Sequence, residues 1–185
     1  MTSVSPLFTP TNSVLWVVDL QERMVPAIDK GDAIVKQAAI LLQAAQLLEI
    51  PAVVSEQYPK GLGHTIEALS PWLSGSPVLE KTTFGAFATE ASTTVLQALQ
   101  KTHIVVCGVE THVCVSQTVL QALGLGYTVG VVVDAIGSRH KHNHKTALKR
   151  LEQQGAQLLT TESILFEWLH DAKHPQFKAI QALVK

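Results

Sequence analysis

Short runs of β-branched and aliphatic residues recur along this chain without alternating with polar ones. Val14-Leu15-Trp16-Val17-Val18 ends in Asp19. Ala52-Val53-Val54 follows Pro51 and ends at Ser55, and Pro77-Val78-Leu79 leads into Glu80-Lys81. Ile104-Val105-Val106-Cys107 ends in Gly108, Thr128–Val133 ends in Asp134, and Ala156-Gln157-Leu158-Leu159 ends at Thr160. A strand wetted on one face alternates apolar and polar residues. A continuous apolar run is covered on both faces, which is the mark of a parallel sheet packed between helices.

The segments between these runs carry helical spacing. Ala33–Leu48 places Ile34, Ala38, Leu41, Leu42, Ala45 and Leu48 three and four residues apart. Ala91–Leu99 and Val113–Leu123 repeat the pattern, with Gly124 placed to stop the latter. Lys145–Gln154 is a charged helix ended by Gly155. Ser163–His170 and Gln176–Val184 close the chain, the first capped by Thr160 or Thr161 and the second opened by Pro175. Six strands with intervening helices predict a three-layer α/β/α fold, Rossmann-like, with a six-stranded parallel sheet in the order 3-2-1-4-5-6. The loops Tyr58–Gly63 and Ser70–Pro77 are rich in Gly, Ser and Pro, but nothing divides the chain, so residues 1–185 are expected to form one domain.

Composition excludes several classes. With 46% hydrophobic and 16% charged residues, the chain has the material for a core and is not a disordered segment. A net charge of -1 supplies no global excess for nucleic acid or an anionic membrane. No apolar run approaches the about 20 residues that span a bilayer. Met1–Pro6 lacks a basic-then-apolar leader pattern. Two cysteines do not make a disulfide framework, so the thiols read as reduced and the protein as cytoplasmic.

Ligands of open parallel sheets bind beyond the C-terminal strand ends. The residues there are Asp19, Ser55-Glu56-Gln57, Glu80-Lys81, Gly108–Cys114 and Asp134. Cys114 follows a strand and a turn and falls in the first turn of a predicted helix. That position is expected to lower a thiol pKa and make it a nucleophile; the alternative is a small buried hydrophobe. Cys107 lies inside a strand and reads as core. Asp19 ends an apolar strand, where it is either a general base or a cap for the Gln21–Val25 turn. Lys81 stands just before Thr82-Thr83-Phe84-Gly85. His112 is a candidate substrate contact, and Met24, Tyr58, Phe84 and Phe87 are candidates for an apolar pocket or for packing. His140-Lys141-His142-Asn143-His144 reads as a solvated helix start, because Arg139, Lys141 and Lys145 disfavour a bound cation.

Three segments carry a family resemblance: Val17-Val18-Asp19-Leu20-Gln21, Glu80-Lys81-Thr82-Thr83-Phe84 and Cys107-Gly108-Val109-Glu110-Thr111-His112-Val113-Cys114-Val115. In this order the chain resembles the isochorismatase-like cysteine hydrolase superfamily over nearly its whole length. Glu56–Gly63 and His174–Lys178 resemble the branch of isochorismatase domain-containing proteins. The resemblance implies a catalytic triad at Asp19, Lys81 and Cys114. It also implies a non-proline cis peptide between Val109 and Glu110, which turns the Glu110 N–H, with the Cys114 N–H, into an oxyanion hole. Gln21 and Met24 join Tyr58, Phe84 and His112 as candidate substrate-binding residues. Related nicotinamidases carry a metal site with an Asp-x-His element after the second strand. Here that stretch reads Ser55-Glu56-Gln57-Tyr58, so neither metal nor cofactor is expected. Isochorismatases proper cleave a vinyl ether and lack the cysteine, which this chain has.

The resulting expectation is a hydrolase of a small amide or related acyl compound working through a thioester. The alternatives are a non-hydrolytic or redox-responsive binding protein on the same fold, and a vinyl-ether hydrolase using Asp19 and Lys81 alone. The expected partner is a small-molecule substrate, not nucleic acid or membrane. The apolar run Ala38-Ala39-Ile40-Leu41-Leu42 predicts a homo-oligomer.

Overall fold

The computed structural model describes residues 6–185; the leader reading at Met1–Ser5 lies outside them. The strands are β1 (Ser13–Val18), β2 (Ala52–Gln57), β3 (Val78–Lys81), β4 (His103–Val109), β5 (Thr128–Gly137) and β6 (Gln157–Leu159). All pair in parallel in the order β3-β2-β1-β4-β5-β6. The helices are α1 (Gly31–Leu47), α2 (Pro59–Leu62), α3 (Glu90–Ala98), α4 (Ser116–Gly124), α5 (Lys141–Gln153), α6 (Thr161–Leu169) and α7 (Phe177–Leu183).

The pleat sends alternate residues to two cores. Leu15, Val17, Val105 and Cys107 pack toward α1, α6 and α7 with Leu41, Ile164 and Trp168. Val14, Trp16, Ile104, Val106 and Val131 pack toward α3, α4 and α5 with Leu96, Val119 and Leu151. β1 and β4 are buried at every residue, as their unbroken apolar runs require. The edge strands differ from the expectation: Val78 in β3 is 48% exposed and no residue of β6 is fully buried. An edge strand has a neighbour on one side only, and a short apolar run does not encode its place in the sheet.

Three boundary differences bear on the site. β2 continues through Gln57, so Ser55, Glu56 and Gln57 are strand residues. β5 continues to Gly137, with a register shift between Val106 and Gly108 of its partner β4. This throws Asp134 outward, where its carboxylate accepts from Thr161 N (2.8 Å) and Oγ1 (3.0 Å). Asp134 therefore steadies the start of α6 and is not at a strand end. Finally, Gly124 lies within α4, and the chain turns instead at Gly126, whose φ of 89° suits a residue without a side chain.

Thr160 caps α6 in a reciprocal pair with Ser163. Pro175 lies ahead of α7, whose cap is Gln176. The run Ala38–Leu42 is spent inside the chain: Ala38, Leu41 and Leu42 are fully buried, with Ile40 beside them. Apart from the half-buried Ala39, the run packs within the chain. Among the described residues, no helix is long and apolar enough to cross a membrane.

Candidate active site

The C-terminal ends of β1, β2 and β3 and the turn after β4 converge on one buried cluster. Asp19 follows the last residue of β1 with a φ of 53°, which turns its side chain off the strand. The carboxylate, 0% exposed, has three neighbours. Lys81 Nζ donates to Oδ2 at 2.6 Å and Ser55 Oγ to Oδ1 at 3.0 Å, and the Cys114 thiol lies close enough to the same carboxyl for the two to shift each other's proton affinity. Asp19 does not cap the following turn with its side chain; only its backbone carbonyl does, accepting from Gln21 N at 2.9 Å. Lys81 reaches the cluster from β3, passing Gln57, whose Oε1 accepts its second hydrogen bond at 2.9 Å. Asp19, Lys81 and Cys114, read from three separate segments, are thus brought together.

The turn that presents Cys114 is wider than an α-helical first turn. Val115 N donates to Glu110 O at 3.2 Å, five residues back, so Thr111–Val115 is one π-helical turn running into α4. Such a turn carries one extra residue and re-aims the side chains along it. Before it, Gly108 sits at φ 118°, and a Cβ there would strike the Val18 carbonyl. Glycine thereby lets β1 and β4 approach closely beside Asp19. The Val109–Glu110 peptide is cis. The Glu110 carboxylate is held by Arg139 through its backbone N (2.9 Å) and Nε (3.1 Å).

The electrostatics correct the sequence-based expectation for the thiol. Burial first, and then the neighbouring Asp19 charge, push Cys114 up to about 12; Lys81 opposes them. Burial and Asp19 thus favour the protonated thiol, opposite to the lowering expected from a helix end. Burial also pushes the Asp19 carboxyl above the usual carboxylate range, against the Lys81 ammonium and the side chains of Cys114 and Ser55. A raised carboxyl beside a neutral thiol is arranged to take its proton when the sulfur attacks.

The candidate substrate contacts separate. Tyr58 and Phe84 are more than half exposed just past β2 and β3, where they can meet a ligand. Phe87 instead packs edge-on against Trp16, with ring centroids 4.6 Å apart. Met24 packs against the core under α1. Gln21 is fully buried and its amide is consumed by backbone: Nε2 donates to Gln57 O (3.0 Å) and Gly63 O (2.6 Å), and Oε1 accepts from Gln57 N (2.7 Å). It staples β1 to β2 and has no polar atom left for substrate. His112 is held by Ser138 Oγ (3.0 Å) and lines a depression with Ser116, His142, Asn143 and Arg150, apart from the triad.

In the His140–His144 stretch, α5 starts at Lys141. His144 departs from a solvated start: it is half-buried, hydrogen-bonded to Thr111 Oγ1 at 2.9 Å, and held below the usual histidine range by burial. Among the described residues, no three His, Cys, Asp or Glu side chains gather to hold a metal ion. A cavity of about 440 Å³ opens between α1 and α5, lined by Lys30, Ile34, Lys141 and Lys145, and does not include the triad.

Ser55 and Gln57 stand among the strand-end residues of the sequence, but the sequence reading gives them no role at the site. The signal that could have found them is the pleat: two polar residues two apart in a buried strand share a face and need partners there. Glu56 faces the other way. Burial raises its carboxyl, but hydrogen bonds from Thr65 N (2.6 Å), Thr65 Oγ1 (2.7 Å) and His64 outweigh that and hold it below the usual range.

Residues 13–163 match the family model described as the Isochorismatase domain. The chain is 41% identical over 178 residues to isochorismatase domain-containing protein 1 of Danio rerio; the match takes in 96% of this chain and 62% of that protein. The chain thus spans under two thirds of that relative's length. The MAR1 ribonuclease structure from Caenorhabditis elegans superposes with a TM-score of 0.92 at 38% identity, covering 96% of this chain and 92% of the other. The YcaC gene product of Escherichia coli, an octameric hydrolase of unknown specificity, shares the fold with a TM-score of 0.87 at 22% identity, covering 98% and 97%.

Proposed function

We propose that this chain, which belongs to the isochorismatase family, is a cysteine-dependent hydrolase of a small amide or related acyl compound. The observation that carries the reading is the buried Asp19 carboxylate, hydrogen-bonded to the Lys81 ammonium at 2.6 Å and set beside the Cys114 thiol. Sulfur attacks the carbonyl carbon as Asp19 takes the thiol proton. Asp19 then gives that proton to the leaving group, and a thioester remains on Cys114. Water enters, Asp19 removes its proton, and the acid leaves as the thiol is restored. Lys81 keeps Asp19 oriented and balances its charge. In this reading the N–H groups of Glu110 and Cys114 hold the oxyanion, a contribution typically worth about 3 kcal/mol per donor.

The charge balance favours an acyl over a phosphodiester substrate, although three similar structures carry a ribonuclease name, two of them provisionally. Asp19 and Glu110 are each matched by a single cation, Lys81 and Arg139. No positive excess is left beside the thiol to neutralise a phosphate. The exposed rings of Tyr58 and Phe84, just past β2 and β3, suit an apolar substituent. The proposal includes self-association, supported by the octameric relative of the same fold and by exposed Val78 and Leu125. It also places the protein in the cytoplasm, supported by two free cysteines.

The test is turnover of an amide and ester panel by wild type and Cys114→Ala. Loss of turnover supports the reading. Turnover at the wild-type rate sinks it and points to vinyl-ether chemistry on Asp19 and Lys81. No turnover by wild type, with no acyl adduct, points to a binding protein.

A further inference from the structure

The hydrogen bonds around Lys81 include one that the triad does not explain. Gln57 stands opposite Lys81 in the β2–β3 register. Its Oε1 accepts from Lys81 Nζ at 2.9 Å, while its Nε2 donates to Thr82 O at 2.9 Å. The two ends of this amide are not interchangeable: reversed, its NH₂ would face an ammonium and its oxygen a carbonyl. Its backbone is pinned as well, with Gln57 N donating to Gln21 Oε1 and Gln57 O accepting from Gln21 Nε2. Gln21 in turn holds Gly63 O. Two buried amides therefore fix one acceptor on the lysine.

An ammonium has three donors. One goes to Asp19 Oδ2 and one to Gln57. We propose that Gln57 is the positioning residue of this site: its amide oxygen, 2.9 Å from Lys81 Nζ, offsets part of the ammonium charge, so that Asp19, hydrogen-bonded to the same nitrogen at 2.6 Å, does not feel the full cation. Asp19 then remains basic enough to take the Cys114 proton. The inference rests on the hydrolase reading. The groups facing Asp19 are Lys81 from β3, Ser55 from β2 and Cys114 from the turn after β4; Glu110 acts on Cys114. Gln57 is the uncharged one among the two acceptors of Lys81, so a change in its charge is read directly at Asp19.

Two variants move Asp19 in opposite directions. Gln57→Leu removes the amide oxygen that offsets the Lys81 charge, the full ammonium acts on Asp19, and the carboxylate becomes a weaker base. Gln57→Glu adds a second carboxylate, which draws the lysine away and sets a like charge near Asp19, so Asp19 holds its proton to higher pH. The probe is iodoacetamide, with Cys114 alkylation followed by peptide mass spectrometry across the acid and neutral range. This reads Asp19-assisted thiol reactivity without any substrate. The acid limb of the rate profile is expected to fall by about one pH unit in Gln57→Leu and to rise by about one in Gln57→Glu. A merely structural glutamine would leave the limb in place in both, or shift both the same way, and either result overturns the proposal. If Gln57→Leu does not fold, the direction of the Gln57→Glu shift decides. The hydrolase reading fails separately, if Cys114→Ala releases 4-nitrophenol from 4-nitrophenyl acetate as fast as wild type.

Discussion

Cys107 and Cys114 stand seven residues apart, one inside β4 and one in the turn that follows it. Both are free, both are buried, and both thiols are pushed up to about 12. What separates them is the cause. Burial alone raises Cys107, which packs among Val17, Val105 and Ala38 on the α1 side. Cys114 is raised by burial and by Asp19, with Lys81 pulling the other way. The comparison teaches that a shifted thiol is not by itself a mark of chemistry. A base within hydrogen-bond reach is, because it converts an inert neutral thiol into a nucleophile at the moment of attack.

The comparison can be broken most forcefully at the thiols themselves. Cys114→Ala is expected to lose about 10³-fold or more in turnover, while Cys107→Ala keeps the wild-type rate within about twofold and loses about 1 kcal/mol of stability in a urea titration. Equal losses would remove the distinction. Asp19→Asn is expected to slow thioester formation by about 10²- to 10⁴-fold in a single-turnover assay and to leave Cys107 reactivity unchanged.

Stability gives a second contrast. Lys81→Met leaves Asp19 buried without its cation, and such losses cost about 3–5 kcal/mol. Thermal unfolding should show that drop, and Asp19→Asn combined with Lys81→Met should recover part of it. A double variant as unstable as the sum of the singles would mean that the pair is not coupled. Ser55→Ala, which removes one of the hydrogen bonds to Asp19, is a smaller change of about 1 kcal/mol.

The smallest expected effect is a pH dependence on the far face of β2. Glu56 is held below its ordinary value of 4.5. Its contribution is therefore complete above pH 4.5 and is lost as the pH falls through its lowered folded value. Glu56→Gln should flatten that part of the stability curve in urea titrations at stepped acid pH, while wild type steepens there.

Much of this arrangement was legible in the chain. The unbroken runs at β1 and β4 announced strands covered on both faces, and Asp19, Lys81 and Cys114 all stand at strand ends in the sequence, where the family resemblance implies their grouping. The failures have physical reasons. Val78 is exposed because edge position depends on partners far along the chain. Asp134 left the strand-end group because β5 shifts register against β4, which no local pattern records. Polar Ser55 and Gln57 read as the end of β2, when they are its inner face at the site. The expected low thiol pKa rested on a local helix-end rule, but burial outweighs it, and the charges that act beside it come from Asp19 and Lys81, on other segments. Ala38–Leu42 looked available for a second copy, but apart from the half-buried Ala39 it packs within the chain.

The central claim is that Cys114, with Asp19 as its base, carries the acyl group. Rapid quenching during turnover of an activated acyl ester, followed by peptide mass spectrometry, tests it most directly. The account predicts an acyl mass on the Cys114 peptide, none on the Cys107 peptide, and none on either in Asp19→Asn at the same time point. Steady turnover with no acyl mass on Cys114 at any time would contradict it.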